Sequence, residues 1–169
     1  MYAPFLLRLK AFLIDYLVIV LYLACIVMIA IVFPFVQNLF IQSYILAQFI
    51  GFIIVTLPVS IYFIFYDSIL GKQSLGKKRV KIKVVNKEGL PLSIMQAICR
   101  TILKFLPWEL AHFLIYRLVD AGSDPMPFYI YFFGALVYGL IIVYVLMSIF
   151  TKRKQSLYDF LSKTYVIRV

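Results

Sequence analysis

Charge is scarce in this chain, and acid is scarcer still. Only 14% of its 169 residues are charged, and only seven are acidic. A soluble domain usually carries about 25% charged and about 45–50% apolar residues. Here 64% are hydrophobic, more than the interior of a soluble fold of this length can hide, so an integral membrane protein is expected. Cysteine occurs twice, as Cys25 and Cys99, which the topology argued below places toward opposite sides of the bilayer; no disulfide is expected, and no metal-ligand spacing is present. Histidine occurs once, and His112 alone, without a nucleophile at a persuasive spacing, does not make an enzyme. No cofactor is implied.

The charges that do occur are clustered. Net charge is +10, but the basic residues sit in short segments between long uncharged ones. That pattern is one of basic loops facing anionic lipid, not of a nucleic-acid surface.

A helix needs about 20 apolar residues to cross the hydrocarbon core. Three stretches qualify: 11–33, 44–66 and 128–150, with Asp15 their single charge. The first is too long for a signal-peptide core and has no clean cleavage site. The N-terminus (Arg8, Lys10), the loop 67–98 and the tail 151–169 are basic, so the positive-inside bias puts all three in the cytoplasm. The acidic stretch 120–127 then lies outside, and the chain has to cross once more before it. The reading is therefore an all-α membrane protein, a single domain over 1–169. Its four-helix transmembrane bundle has helices at about 5–33, 44–66, 99–119 and 128–150. The third helix is polar, preceded by residues 92–100 along the surface, and a small cytoplasmic β-element completes the fold. Both termini are cytoplasmic, and the plasma membrane (the inner one where there are two) is the expected location.

The segment "GKQSLGKK" (71–78) fits the spacing of a phosphate-binding loop except at its last position. A phosphate loop needs a strand before it, a helix after it and a hydroxyl after the lysine. Here the end of a membrane helix precedes it, Lys78 replaces the hydroxyl, and "RVKIKVV" (79–85) alternates like a strand. The same stretch instead suggests a β-ribbon, with "TYVIRV" (164–169) as its partner strand.

At this point the chain resembles the RDD family of membrane proteins, named for one arginine and two aspartates. "RLKAFLIDYLV" (8–18) supplies Arg8 and Asp15, "GKQSLGKKRVKIKVVNKEGLPLS" (71–93) matches the loop between hydrophobic helices, and "KRKQSLYDFLSKTYVI" (152–167) supplies Asp159. "KFLPWELAHFLIYR" (104–117) is similar to one branch of the family. The resemblance implies a membrane protein, and some members are suggested to exchange sodium for protons.

Ionisable groups inside a bilayer are costly and suggest function. Asp15 reads either as a cation- or proton-binding carboxylate or as the partner of Lys104 or Arg100. Glu109 and His112, three residues apart, share a helix face and could relay a proton; alternatively Glu109 neutralises Lys104. A di-metal bundle needs a second Glu-x-x-His pair, and there is only one. Arg8 is expected to pair with Asp159 and clamp the tail. Pro58 and Pro107 should orphan the carbonyls of Ile54 and Leu103, with Thr56 and Ser60 beside the first. Trp108 suits an interfacial belt. Ala135 and Gly139 form a small-xxx-small pair for packing inside the bundle or for a homodimer.

Two functions follow. One is a small transporter, a monovalent cation (sodium)/proton antiporter built on Asp15, Glu109 and His112. The other is a non-transporting module that binds anionic membrane lipid or a partner protein, with Arg8, Asp159, Arg100 and Lys104 as a structural charge network.

Overall fold

The computed structural model describes residues 1–41, 43–121 and 126–169, so the acidic stretch expected outside, 120–127, falls partly beyond the described residues. Helix α1 (Phe5–Val32) is followed by a short helix α2 (Pro34–Ile41) and by α3 (Tyr44–Asp67). α3 is not uniform: it takes a π turn over Phe52–Thr56 before Pro58 and resumes as α-helix from Leu57. Then come the one-turn helix α4 (Leu75–Arg79), strand β1 (Ile82–Val85), the long helix α5 (Ile94–Ala121), α6 (Phe128–Phe150), the one-turn helix α7 (Leu157–Leu161) and β2 (Tyr165–Arg168).

Helices α1, α3 and α6 are long and apolar enough to cross a membrane. Their residues point mostly outward, with Leu13, Leu17, Leu21, Met28, Phe132 and Ile142 among the exposed ones. A soluble helix would bury such a surface; a lipid-facing helix displays it. The buried stripe of α1 is narrow, Ala11, Asp15 and Ile19, one residue per turn on one face.

Two expectations shift at α4 and α5. Residues 79–85 are not all strand: Ser74 caps α4 by accepting from the Lys77 amide, Lys81 adopts φ +55°, and the strand begins only at Ile82. Residues 92–100 do not lie apart along a surface. α5 runs unbroken from Ile94, five residues before the expected start, and at about 1.5 Å per residue its 28 residues extend about 42 Å.

The strands pair antiparallel, Ile82 opposite Arg168 and Val85 opposite Tyr165. The N-terminus joins them: Tyr2 bridges Ile167, and the Ala3 amide donates to Val166 O at 2.8 Å. Ala3, Ala11, Ile82, Val84, Leu92, Ala97 and Val166 form a buried cluster that seals this cap onto α1 and α5. The start of the chain, the 67–93 segment and the tail are thus tied together at one end of the helices. α5 packs along both halves of α3 and along α6, where Leu114, Ile130 and Val137 form a second cluster.

Ala135 and Gly139 do not pack inside. Both are exposed, and a methyl group built on Gly139 would meet nothing within 4 Å.

Candidate functional site

Where the cap meets the helices, five charged side chains form an unbroken chain of ion pairs. Arg8 of α1 donates to Asp159 of α7 at 2.5 Å. Arg100 of α5 donates to the same carboxylate through Nε (3.1 Å) and Nη2 (2.8 Å), and through Nη1 to Asp67 at 2.7 Å. Lys77 of α4 closes the chain on the other Asp67 oxygen. Asp67 and Asp159 are at most 2% exposed, and Arg8, paired with Asp159 as expected, is nine-tenths buried (side chain 10% exposed). The Arg100 guanidinium lies over the Tyr158 ring, 5.1 Å from its centroid. Burial and the neighbouring Asp159 push the Tyr158 hydroxyl above its ordinary range.

Such a cluster suits the bottom of a cap. Burying charges costs several kcal/mol each, and only excellent geometry with every lone pair in use offsets it. Both carboxylates are bridged here by two cations from different elements. Asp159 also accepts from the Ser156 amide at 3.3 Å and so holds the start of α7.

Asp15 stands apart, 1% exposed, and pairs with neither Lys104 nor Arg100. It takes neutral donors: the Ser74 hydroxyl at 2.6 Å, the Gly76 amide at 2.7 Å and the Tyr62 hydroxyl at 2.9 Å. Its carboxylate thus sits where the free amides at the start of α4 point. The phosphate-loop spacing is explained by packing. A Cβ on Gly76 would fall 2.0 Å from Ala11 O, and one on Gly71 2.7 Å from Tyr66 Cα. Both glycines are there so that backbones can touch.

Glu109 does not neutralise Lys104. It accepts a hydrogen bond from the Thr56 hydroxyl at the end of the π turn, and His112 Nδ1 lies 3.7 Å away. Trp108 meets the His112 ring edge-on, 4.7 Å between centroids. Farther along α5, Arg117 donates to Gln48 at 3.0 Å and stacks over Phe113.

Lys104 forms no ion pair among the described residues, which corrects its place in the charge network. Its ammonium is 3.5 Å from the centroid of Phe63 and 5.2 Å from that of Phe105. It lines a cavity of about 450 Å³ between α1, α5 and α6, together with Arg8, Asp15, Lys77 and Arg100. Trp108 lines the same cavity.

The carbonyls that the prolines orphan are both used. Tyr22 donates to Ile54 O at 2.5 Å, and Tyr144 to Leu103 O at 2.5 Å.

Reasoning from sequence missed Asp67, Lys77, Ser74 and Tyr62. Asp67 carried a signal: it is an acid at the last turn of an otherwise uncharged span, where a cation is favoured. Lys77 and Ser74 carried none, since a basic loop looks solvent-facing until its partners are known. Among the described residues no cluster of histidine, cysteine and acidic residues could hold a metal ion, and Cys25 and Cys99 are free.

Apolar helices that display their side chains, closed at one end by a cap fastened through buried ion pairs, define an integral membrane protein. The chain belongs to the RDD family, whose model matches residues 2–163. No curated protein and no solved structure matches it.

Proposed function

We propose that the chain is a four-span, non-catalytic membrane module that presents a basic cytoplasmic cap to anionic lipid of the plasma membrane. The observation that carries this is the sorting of charge in the cap. Two of its three acids, Asp67 and Asp159, are turned inward onto Arg8, Arg100 and Lys77, and only Glu88 is exposed. Lys72, Lys78, Arg79, Lys81, Lys152, Arg153, Lys163 and Arg168 stay exposed. Basic residues beside a membrane surface contribute about 1 kcal/mol each toward anionic lipid, and their excess marks the cytoplasmic side. The fourth span is α5. Its charges from Arg100 to Arg117 have partners in neighbouring elements or aromatic rings, which makes a polar helix tolerable in lipid, and its crossing returns α6 to the cap side.

The test uses purified protein in nanodiscs of phosphatidylcholine with and without phosphatidylglycerol. Anionic lipid should raise the melting temperature at low salt, and less so at high salt; the triple variant K72E/K78E/R79E should lose the gain. No dependence on lipid charge would overturn the reading. Labelling of single cysteines introduced on either side of α5, at the exposed positions 90 and 126, in a Cys25→Ser/Cys99→Ser background tests the fourth span separately: accessibility from opposite sides is expected.

One cluster favours a second reading, exchange of a monovalent cation such as sodium for a proton. Glu109 beside Thr56 and His112 offers a half-buried carboxylate, a hydroxyl and an imidazole together. Asp15 suits this role less, because neutral donors already hold both of its oxygens. Cation gradients imposed on liposomes holding a pH-sensitive dye decide it. Cation-dependent proton flux abolished in Glu109→Gln would establish exchange, and its absence from folded wild type would remove the reading.

A further inference from the structure

The charges around the cavity do not pair one to one. Four cations, Arg8, Lys77, Arg100 and Lys104, gather there with three carboxylates, Asp15, Asp67 and Asp159. Asp67 and Asp159 hold Lys77, Arg100 and Arg8, and Asp15 is held by Ser74, Gly76 and Tyr62. Lys104 faces aromatic rings and has no carboxylate within 4.0 Å among the described residues. Arg8 Nη2 is buried and has no hydrogen-bond partner, on a side chain that is nine-tenths buried and lines the same cavity. A cation–π contact contributes about 2 kcal/mol at best, whereas an ion taken out of water costs several. Lys104 is thus the one cation of the chamber without a carboxylate partner among the described residues.

The chamber's walls say what kind of anion would meet it. Beyond the charged groups, four cations and the Asp15 carboxylate that Ser74, Gly76 and Tyr62 already hold, the lining is mostly apolar, from Leu9 and Phe12 of α1 and Val137, Ile141 and Val145 of α6, with Tyr144, Ser148, Ser156 and Tyr158 as its hydroxyls. Along α5 it extends from Arg100 to Ala111, about 16 Å at about 1.5 Å per residue. α1 and α6 touch each other only sparsely, and their outer faces are the lipid-facing ones. A volume of about 450 Å³ is within the usual range of about 300–1,000 Å³ for sites that take a mostly apolar ligand held by a few polar groups.

We propose that this cavity binds an amphipathic anion drawn from the bilayer, with one apolar chain between α1 and α6 and a carboxylate or phosphate head against Lys104 and Arg8. This site is distinct from the outer basic face, where headgroups alone would suffice. It needs head and chain together.

Trp108 is the chain's single tryptophan and lines the cavity, so its fluorescence reports occupancy. The experiment places wild-type protein in phosphatidylcholine nanodiscs and adds dibromostearate, its methyl ester, or inorganic phosphate as competitor. The acid should quench Trp108 saturably, while the ester gives only the unsaturable quenching of brominated chains in the bilayer. Lys104→Gln should weaken the saturable phase about tenfold or more, the scale of a lost charge-assisted hydrogen bond, and Lys104→Arg should retain it. Equal quenching by acid and ester would overturn the proposal, as would an unchanged Lys104→Gln. Displacement of the acid by inorganic phosphate at equal concentration would also overturn it, because the apolar walls would then add nothing. The wild-type arms decide the matter even if a variant fails to fold, and they read the cavity whether or not the outer face selects anionic lipid.

Discussion

The Tyr144 hydroxyl donates to the backbone carbonyl of Leu103 at 2.5 Å, the carbonyl that Pro107 leaves without a helical partner. Tyr22 does the same for Ile54 O, which Pro58 leaves free. In lipid no water can satisfy such a group, and a neighbouring helix has to. Tyr144→Phe should therefore destabilise the protein by about 1–3 kcal/mol, the cost of a buried acceptor left bare. In a Pro107→Ala background residue 107 regains its amide and can donate to Leu103 O itself, so the same substitution should cost much less. A double-mutant cycle on melting in detergent checks this; additive effects would mean that the tyrosine does not serve the proline.

The ion-pair chain makes a second prediction. Asp159 bridges Arg8 and Arg100, so Asp159→Ala leaves two buried cations facing each other. The expected loss is about 3–5 kcal/mol. Arg100→Lys should also destabilise, because a single ammonium cannot reproduce the fork that spans Asp159 and Asp67. The tail should be released first, so limited proteolysis should cut near residues 151–164 before the helices melt.

How far these relationships could be read from the sequence depends on their range. Helix lengths follow from uninterrupted apolar runs, so α1, α3 and α6 were legible, as were the ribbon and the two carbonyls orphaned by proline. The Arg8–Asp159 pairing spans nearly the whole chain and was reachable only because few acids exist to choose from. The basic partner expected for Asp15 was misplaced for the opposite reason. An intramembrane aspartate suggests a basic partner, yet its donors are a serine, a glycine amide and a tyrosine, residue types with no charge to advertise them. Lys104 shows a third limit, since a lysine beside aromatic rings leaves no mark at fixed spacing.

Glycine packing gives a third prediction. Gly76→Ala places a methyl 2.0 Å from Ala11 O, a backbone atom that cannot step aside. α4 should then lift from α1, and the folded yield should collapse. Gly139→Ala is the control, because nothing lies within 4 Å; it should leave melting unchanged to within about 0.5 kcal/mol. Comparing the two by size-exclusion profile separates close packing from a general intolerance of changes at glycine.

The last prediction concerns Asp15, whose two oxygens accept from three donors and donate nothing. Asn in its place is nearly the same size, but one of its two polar ends is an amide that must donate. Turned toward the Gly76 amide, that NH2 sets donor against donor; turned toward Ser74, it makes the hydroxyl accept from it as well as from the Lys77 amide and costs the hydroxyl its own acceptor. Asp15→Asn should therefore loosen the 71–79 segment by about 1–3 kcal/mol, whereas Ser74→Ala, which removes one donor and introduces no clash, should cost less. Hydrogen exchange at the Gly76 amide is the direct readout. It should speed up strongly in Asp15→Asn and modestly in Ser74→Ala, with amides in the middle of α6 unaffected. Unchanged Gly76 protection in Asp15→Asn would show that the carboxylate does not hold this turn, and would free Asp15 to be the ion-binding group that its position in α1 first suggests.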